Sequence, residues 1–239
     1  MILKTEAIVL KTFDFRETSR IATFFTKDYG KVKGVLKGIR KDPRKFGSHL
    51  DKFSVNDIVY YQYLRSDLHL ISQCELLSPL SALQRDVETM QVAALCVDLV
   101  DAVVPLEEPQ PAIYRLLKQT LERLCLGGDE LLGVRVHFIV RLLRLAGFQP
   151  QLDECTGCGI AIHAAGYWSA RQGGLLCERC LHEDPQAEAA SPPVLEALSA
   201  LSQSDQPVAM ETPLLSALRE RLEAFLRWRL DRPLKTLTT

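Results

Sequence analysis

Four of the seven cysteines form two Cys-x-x-Cys pairs that are separated by 18 residues. Two tight turns of this kind can present four thiolates to one tetrahedral Zn²⁺, and the spacing is typical of structural zinc sites. A segment this short cannot build a hydrophobic core, so a bound metal would supply much of its folding free energy. The sequence therefore predicts one structural Zn²⁺, held by Cys155, Cys158, Cys177 and Cys180.

Other interpretations of the cysteine segment are less consistent with its sequence. A redox centre needs one reactive pair in a thioredoxin-like βαβ context, which neither pair has. A catalytic zinc keeps an open position beside an acid or base, and the His-x-Glu motif of zinc deaminases is absent. His163 and His182 are alternative ligands. Tyr167 and Trp168 lie between the pairs, where they either cover the zinc site or stack on bases.

The charge of the chain is unevenly distributed. Residues 1–80 hold 14 Lys and Arg against 9 Asp and Glu, whereas the remainder holds 15 against 21. A basic N-terminal part on an acidic body predicts an anionic partner. The sequence shows neither a signal peptide nor an apolar run long enough for a membrane span, so we expect a cytoplasmic protein. The cytoplasm is reducing, so we do not expect the cysteines to form disulfides.

Residues 1–79 predict a small β-barrel. Apolar and β-branched stretches, separated by turn signals every ~8–12 residues, are typical of an OB-fold. The expected strands cover 2–13, 20–26, 31–37, 55–64 and 68–76.

The spacing of apolar residues becomes helical after Pro79. Ser81 is the expected N-cap of the first helix, with Gln84 as its capping-box partner. The next two helices are expected over 111–126 and about 130–146. Two more are expected to begin at the Ser-Pro pair 191–192 and at the Thr-Pro pair 212–213. A short linker is expected over 183–191. The chain is therefore predicted to be α+β, with an OB-fold over 1–79, a helical domain over 80–150 and 184–239, and a zinc module inserted at 151–183.

Residues 27–45 are the predicted nucleic-acid contact, since they carry eight basic and two acidic side chains. Alternation along a strand places Lys31, Lys33 and Lys37 on one face, which leads into a basic loop. Such a surface follows a phosphate backbone without reading sequence. The alternatives are an edge strand guarded by lysines, or a surface for an acidic protein without nucleic acid. The predicted contacts to the nucleic-acid backbone are Lys31, Lys33, Lys37, Arg40, Lys41, Arg44 and Lys45.

Two further sets of side chains are candidates for contact with nucleic acid. Aromatic residues in or near the predicted barrel are candidate platforms for base stacking, namely Phe24, Phe25, Phe46, Tyr60, Tyr61 and Tyr63. A second basic surface is expected to hold a second strand, with Arg135, Arg141, Arg144, Arg171 and Arg179 as candidates. The chain carries no phosphate-cradling loop, nucleophile elbow or usable Cys/His pair, so we do not expect an enzyme.

These features together resemble the RecO family of recombination mediators. The resemblance is carried by EAIVLKTFDFRETSRIATFFTKDYGKVKGVLKGIRK, by KFGSHLDKF, by the two cysteine pairs and by the C-terminal RPLKTL. Arg16 departs from the family pattern, since many members carry glycine there, and this predicts an altered turn. Some members lack the zinc cysteines.

The resemblance implies an N-terminal OB-fold and a helical domain with an inserted zinc module. It implies binding of single- and double-stranded DNA, annealing of complementary strands, and help in loading RecA onto strands coated by single-strand binding protein. The implied partners are RecR and single-strand binding protein, with RecF and RecA as further candidates, at the nucleoid.

Overall fold

The computed structural model describes residues 1–42, 46–47, 50–128, 130–162, 166–230, 234 and 236. The chain divides into two compact units, Met1–Gly127 and Gly128–Thr239. Within the described residues, no helix is both long enough and apolar enough to cross a membrane.

The first unit begins with a closed barrel, which confirms the OB-like prediction. Its strands follow the order β1-β2-β3-β5-β4, with a parallel pairing between β3 and β5. Alternate side chains point inward, as the pleat requires, and include Phe24, Ile58 and Tyr60. Gly34 lets Ile71 lie directly against the backbone of β3, in space that a Cβ atom would occupy. The strands are β1 Ile2–Phe15, β2 Ser19–Thr26, β3 Gly30–Leu36, β4 Val55–Tyr61 and β5 Leu68–Ser78.

Two helices, α1 Val87–Val103 and α2 Pro111–Leu126, belong to the same unit as the barrel. Lys31 Nζ on β3 donates to the Asp101 carbonyl oxygen of α1 at 2.6 Å. Tyr114 and Lys118 of α2 both donate to the Glu6 carboxylate of β1, at 2.9 and 2.8 Å. Part of the outer barrel surface is therefore covered by helix.

The predicted N-cap of α1 is wrong. Ser81 begins a separate 3-10 turn, Ser81–Gln84, and the helix starts only at Val87. Asp86 is the N-cap, because its carboxylate accepts the backbone N–H of Thr89 at 2.7 Å and the Thr89 hydroxyl at 2.9 Å. Both Ser and Asp are common N-caps, so the local sequence does not choose between the two positions.

Asp86→Asn is expected to make the melting temperature less sensitive to acid. The backbone N–H of Thr89 holds the pKa of Asp86 below its usual range. The stability from the ionised cap is therefore complete above about pH 4 and is lost as the pH falls through the lowered pKa. An asparagine cap does not titrate. The check is the melting temperature of both proteins from neutral pH down to about pH 2.5, and an identical acid decline would contradict the assignment of Asp86.

The second unit combines helices with a small sheet. Its strands follow the order β6-β8-β7-β9, and β6 pairs with β8 in parallel. Apolar residues of the three helices, including Phe138, Leu198 and Leu222, are buried. The elements are α3 Leu131–Leu145, β6 Gln151–Cys155, β7 Gly166–Ser169, β8 Gly174–Leu176, β9 Glu188–Ala190, α4 Pro192–Gln203 and α5 Thr212–Arg229.

The expected linker over 183–191 contains a strand. Residues 188–190 form β9, which pairs antiparallel with β7 from Trp168 to Gly166. The sequence EAA has low strand propensity. This segment is ordered as a strand because it completes the free edge of β7.

Candidate metal centre and nucleic-acid interface

The sulfur atoms of Cys155, Cys158, Cys177 and Cys180 form one cluster in the second unit. All four lie within 4.8 Å of one another, and Cys158 Sγ and Cys177 Sγ are 3.8 Å apart. A tetrahedral ion with metal–sulfur bonds of about 2.3 Å requires sulfur separations of roughly 3.8 Å. The cluster is therefore suited to holding a metal ion, as the cysteine spacing predicts.

Each cysteine pair lies on a turn that follows a strand. Cys155 ends β6, and Cys177 directly follows β8, which is parallel to β6. Parallel strands that end side by side bring their following turns together. Gly159 closes the first turn with a φ of 72°, in the left-handed region, and its N–H donates to the Cys155 carbonyl at 2.8 Å.

Backbone hydrogen bonds prepare part of the cluster for ionisation. Burial raises the pKa of Cys155, but the N–H groups of Cys177, Cys158 and Gly157 outweigh this effect and lower it to about 6. The backbone N–H of Cys180 likewise lowers the pKa of Cys177. Burial and the neighbouring sulfurs raise the pKa of Cys180. A cation at the centre would offset this repulsion between thiolates.

The other side chains considered for this segment have different positions. His182 Nδ1 is 2.9 Å from the Arg179 carbonyl oxygen, and His163 lies outside the described residues. Tyr167 packs against the buried cysteines, as expected of a cover. Trp168 instead packs on Phe225 of α5, with ring centroids 6.1 Å apart.

One predicted DNA contact, Lys31, requires correction. Only 9% of Lys31 is exposed, and its ammonium lies 3.4 Å from the Asp101 carboxylate, besides its hydrogen bond to the Asp101 carbonyl. Alternation correctly places Lys31 on the outer face of β3, but α1 covers that position. Its side chain therefore binds helix α1 within the first unit.

Three other predicted contacts, Lys37, Arg40 and Lys41, follow the end of β3 at one end of the barrel, whereas Lys33 lies within the strand. Lys33 is half-buried, whereas Lys37, Arg40 and Lys41 are exposed. The backbone N–H of Arg40 donates to the Thr18 carbonyl at 3.0 Å, which ties this turn to the turn between β1 and β2. Of the predicted contacts, Arg44 and Lys45 lie outside the described residues.

The turn between β1 and β2 and the start of β2 add two cations that the sequence interpretation missed, Arg16 and Arg20. Arg16 adopts a φ of 55°, a conformation that favours glycine, and the Arg40 guanidinium donates to its carbonyl at 3.1 Å. Arg20 lies on β2 opposite Leu36 of β3. Asp14 lies among these charges, 3.0 Å from Arg20 and 3.5 Å from Arg40. The sequence could have indicated Arg20, because an antiparallel pairing of β2 with β3 places residue 20 beside the end of β3.

Most candidate stacking residues are buried: Phe24, Phe46 and Tyr60 belong to the barrel core, and Phe25 packs on Tyr114 of α2. Phe24, Phe25, Phe46 and Tyr60 are buried, whereas Tyr61 and Tyr63 are exposed. Phe13 was not predicted, but it is exposed on β1 opposite Ile21. Alternation identifies two faces of a strand but does not say which face is inside.

Three candidates for the second basic surface bind other residues of their own unit. Arg135 forms an ion pair with Glu223 at 2.7 Å, in which both side chains are largely buried. Arg141 binds the Ser202 carbonyl and the Asp205 carboxylate, at 2.9 and 2.6 Å, and Arg144 binds the same carbonyl. These three arginines therefore hold helices and loops together. Arg171 and Arg179 are exposed.

Comparisons with known proteins cover nearly the whole chain. The sequence models described as Recombination protein O N terminal and Recombination protein O C terminal match residues 1–80 and 84–238. A DNA repair protein RecO of Geobacter metallireducens is 36% identical over 178 residues, which are 74% of this chain and 72% of that protein. Similar proteins of the same name occur in Bifidobacterium longum subsp. infantis (31% over 238 residues; 99% and 97%) and Cutibacterium acnes (31% over 245; 98% and 96%).

Proposed function

Because the chain belongs to the RecO family of DNA repair proteins, we propose that it binds single- and double-stranded DNA and anneals complementary strands. We further propose that it helps to load RecA onto strands coated by single-strand binding protein, and that it is not an enzyme. The observation that carries the proposal is the basic end of the barrel, where exposed lysine and arginine side chains lie on two joined turns.

The basic end of the barrel is suited to phosphates. Lys37, Arg40 and Lys41 are exposed, and backbone hydrogen bonds fix the turn that carries them, including Lys41 N–H to the Gly38 carbonyl at 3.1 Å. OB-folds bind oligonucleotides with strands 2 and 3 and the adjoining loops. Contacts to phosphates carry no sequence information, so binding is expected for many sequences. The proposed contacts are Lys33, Lys37, Arg40 and Lys41, with Arg44 and Lys45 beyond the described residues.

We propose that the ion in the cysteine cluster is Zn²⁺ with a structural role. Four thiolates are soft ligands, and a tetrahedral sulfur set favours zinc or iron. A closed set leaves no coordination position for a substrate, which disfavours a metalloenzyme. The proposed ligands are Cys155, Cys158, Cys177 and Cys180.

The proposed protein partners are RecR and single-strand binding protein, with RecF and RecA as further partners, in the cytoplasm at the nucleoid. The support for them is family membership. The competing function is that of an adaptor, in which the basic end of the barrel binds an acidic protein and does not bind nucleic acid. DNA affinity that decreases steeply with salt would exclude this adaptor.

Strand annealing by the chain is expected to be stoichiometric, independent of ATP and suppressed by salt. Two single strands repel each other through their phosphates, and a protein that neutralises both lowers this barrier. The measurement is the fluorescence of labelled complementary oligonucleotides, with and without ATP, at several protein and salt concentrations. A non-complementary pair is the control. Annealing that needs ATP, or that is catalytic at far less than stoichiometric protein, would refute this proposal.

A further inference from the structure

A cavity of about 590 Å³ lies in the second unit between β7, β9 and α5. This volume is within the range of small-ligand sites. The chain has two tryptophans, and both line the cavity: Trp168 from β7 and Trp228 from α5. The cavity is distinct from the basic end of the barrel, which lies in the first unit.

The two indoles play different parts in the wall. Trp168 is 3% exposed and packs on Phe225, so it forms a fixed surface. Its indole N–H has no hydrogen-bond acceptor among the described residues, although a buried tryptophan usually has one. Trp228 lines the cavity and is 60% exposed, so much of its indole is accessible to a ligand.

The charges around the cavity are largely balanced. Glu188 lies 3.4 Å from Arg221, and Glu220 lies 3.7 Å from Arg219. Arg171 is exposed at the rim and has no ion-pair or hydrogen-bond partner in the part of the chain that the structure describes. The cavity therefore combines an open aromatic face, carboxylate acceptors and one available cation.

We propose that this cavity binds an unpaired base of single-stranded DNA. Bases stack on aromatic side chains whatever their sequence, and Trp228 offers such a face. The Glu188 and Glu220 carboxylates can accept N–H groups of a base, including the N3–H of thymine, and Arg171 can bind the adjoining phosphate. This inference rests on the proposed DNA binding. It adds a second DNA-contact region, where base stacking contributes more to affinity than ion pairs with phosphates.

Tryptophan emission tests the base pocket directly, because both tryptophans of the chain line the cavity. The probes are an oligothymidylate of about 15 nucleotides and an abasic oligonucleotide of equal length, which keeps the phosphates and lacks the bases. We expect the oligothymidylate to quench the emission of the intact chain and the abasic strand not to do so. Labelled strands report binding independently, through their anisotropy.

Trp228→Ala is expected to abolish most of this quenching and to weaken oligothymidylate binding about 5- to 140-fold, the range for one lost stacked base. Phe148→Ala is the matched control, because it removes another exposed aromatic residue of the same unit that does not line the cavity. This control is expected to retain both the quenching and the affinity. Circular dichroism would verify that each variant is folded.

The outcomes separate the pocket from the function on which it rests. Two results would overturn the base pocket if anisotropy still showed DNA binding. One is equal quenching by the abasic strand, and the other is unchanged affinity and quenching in Trp228→Ala. Quenching of Trp228 by an added peptide but by no oligonucleotide would assign the cavity to a protein ligand instead. An intact chain that bound no strand by anisotropy would overturn both the proposed function and the pocket.

Discussion

Replacing Lys37, Arg40 and Lys41 together by alanine is expected to weaken DNA binding by roughly 50- to 150-fold at physiological salt. Each lysine or arginine that neutralises a phosphate releases a counterion, with a slope of about −0.9 per contact on duplex and −0.7 on single strands. Three lost contacts therefore reduce the salt slope by roughly two to three. The loss is expected to be similar for unrelated sequences, because these side chains are proposed to bind phosphates. The measurement is fluorescence anisotropy across a series of salt concentrations.

Two single-residue variants provide controls for the triple variant. Lys4→Ala removes a positive charge from β1, where Lys4 is paired with Asp57 at 2.8 Å, and should leave the salt slope unchanged. Lys31→Ala should lower the melting temperature, because it removes a side chain that binds α1, and should also leave the slope unchanged. An unchanged slope in the triple variant would mean that this end of the barrel does not bind the phosphates.

The elements of the barrel were predictable because strand alternation is a local property of the sequence. Phe24 and Tyr60 follow this alternation into the core. Alternation cannot show what covers the outer face of a strand. Lys31 binds Asp101, which lies 70 residues further along the chain, so its prediction as a DNA contact depended on a helix whose position was unknown.

The four-cysteine cluster was predictable because nearly all its geometry is local. Each pair needs only one tight turn, and the spacing between the pairs allows β6 and β8 to lie side by side. The arginines of α3 were not predictable in this way. Arg135 pairs with Glu223, and this contact exists only once α3 and α5 have packed. The cavity with Trp228 likewise requires β7, β9 and α5 to be assembled, so no single stretch of sequence indicates it.

Removing the metal from the cysteine cluster is expected to unfold the sheet of the second unit. The cluster has a small core, in which Leu176 packs with Cys155 and Cys180. Structural zinc contributes roughly 10–16 kcal/mol in zinc-finger peptides, and even a third of that is comparable with the ~5–15 kcal/mol of a whole domain. Cys155→Ser should therefore lower the melting temperature strongly and abolish stoichiometric metal binding.

Acid is expected to release the metal, because protons compete for the thiolates. The pKa of Cys155 is lowered to about 6, so its thiolate is available at neutral pH without the metal. The pKa of Cys180 is raised, so this thiol ionises only with help from the ion, and metal affinity should fall steeply as the pH decreases. The measurements are metal content by elemental analysis and tryptophan emission, in which the contribution of Trp168 should shift to the red as β7 loses its packing on Phe225.

Cys125→Ser is the matched control for the metal prediction, because Cys125 is a half-buried thiol of the first unit, outside the cluster. It should retain one metal ion per chain and an unchanged acid-release curve. The zinc assignment predicts that chelation and Cys155→Ser give the same spectral shift, since both empty one site. A chain that is free of metal and yet shows the native emission and melting temperature would refute a structural ion. If the ion is iron instead, elemental analysis will identify it, and the requirement for four thiolates will remain.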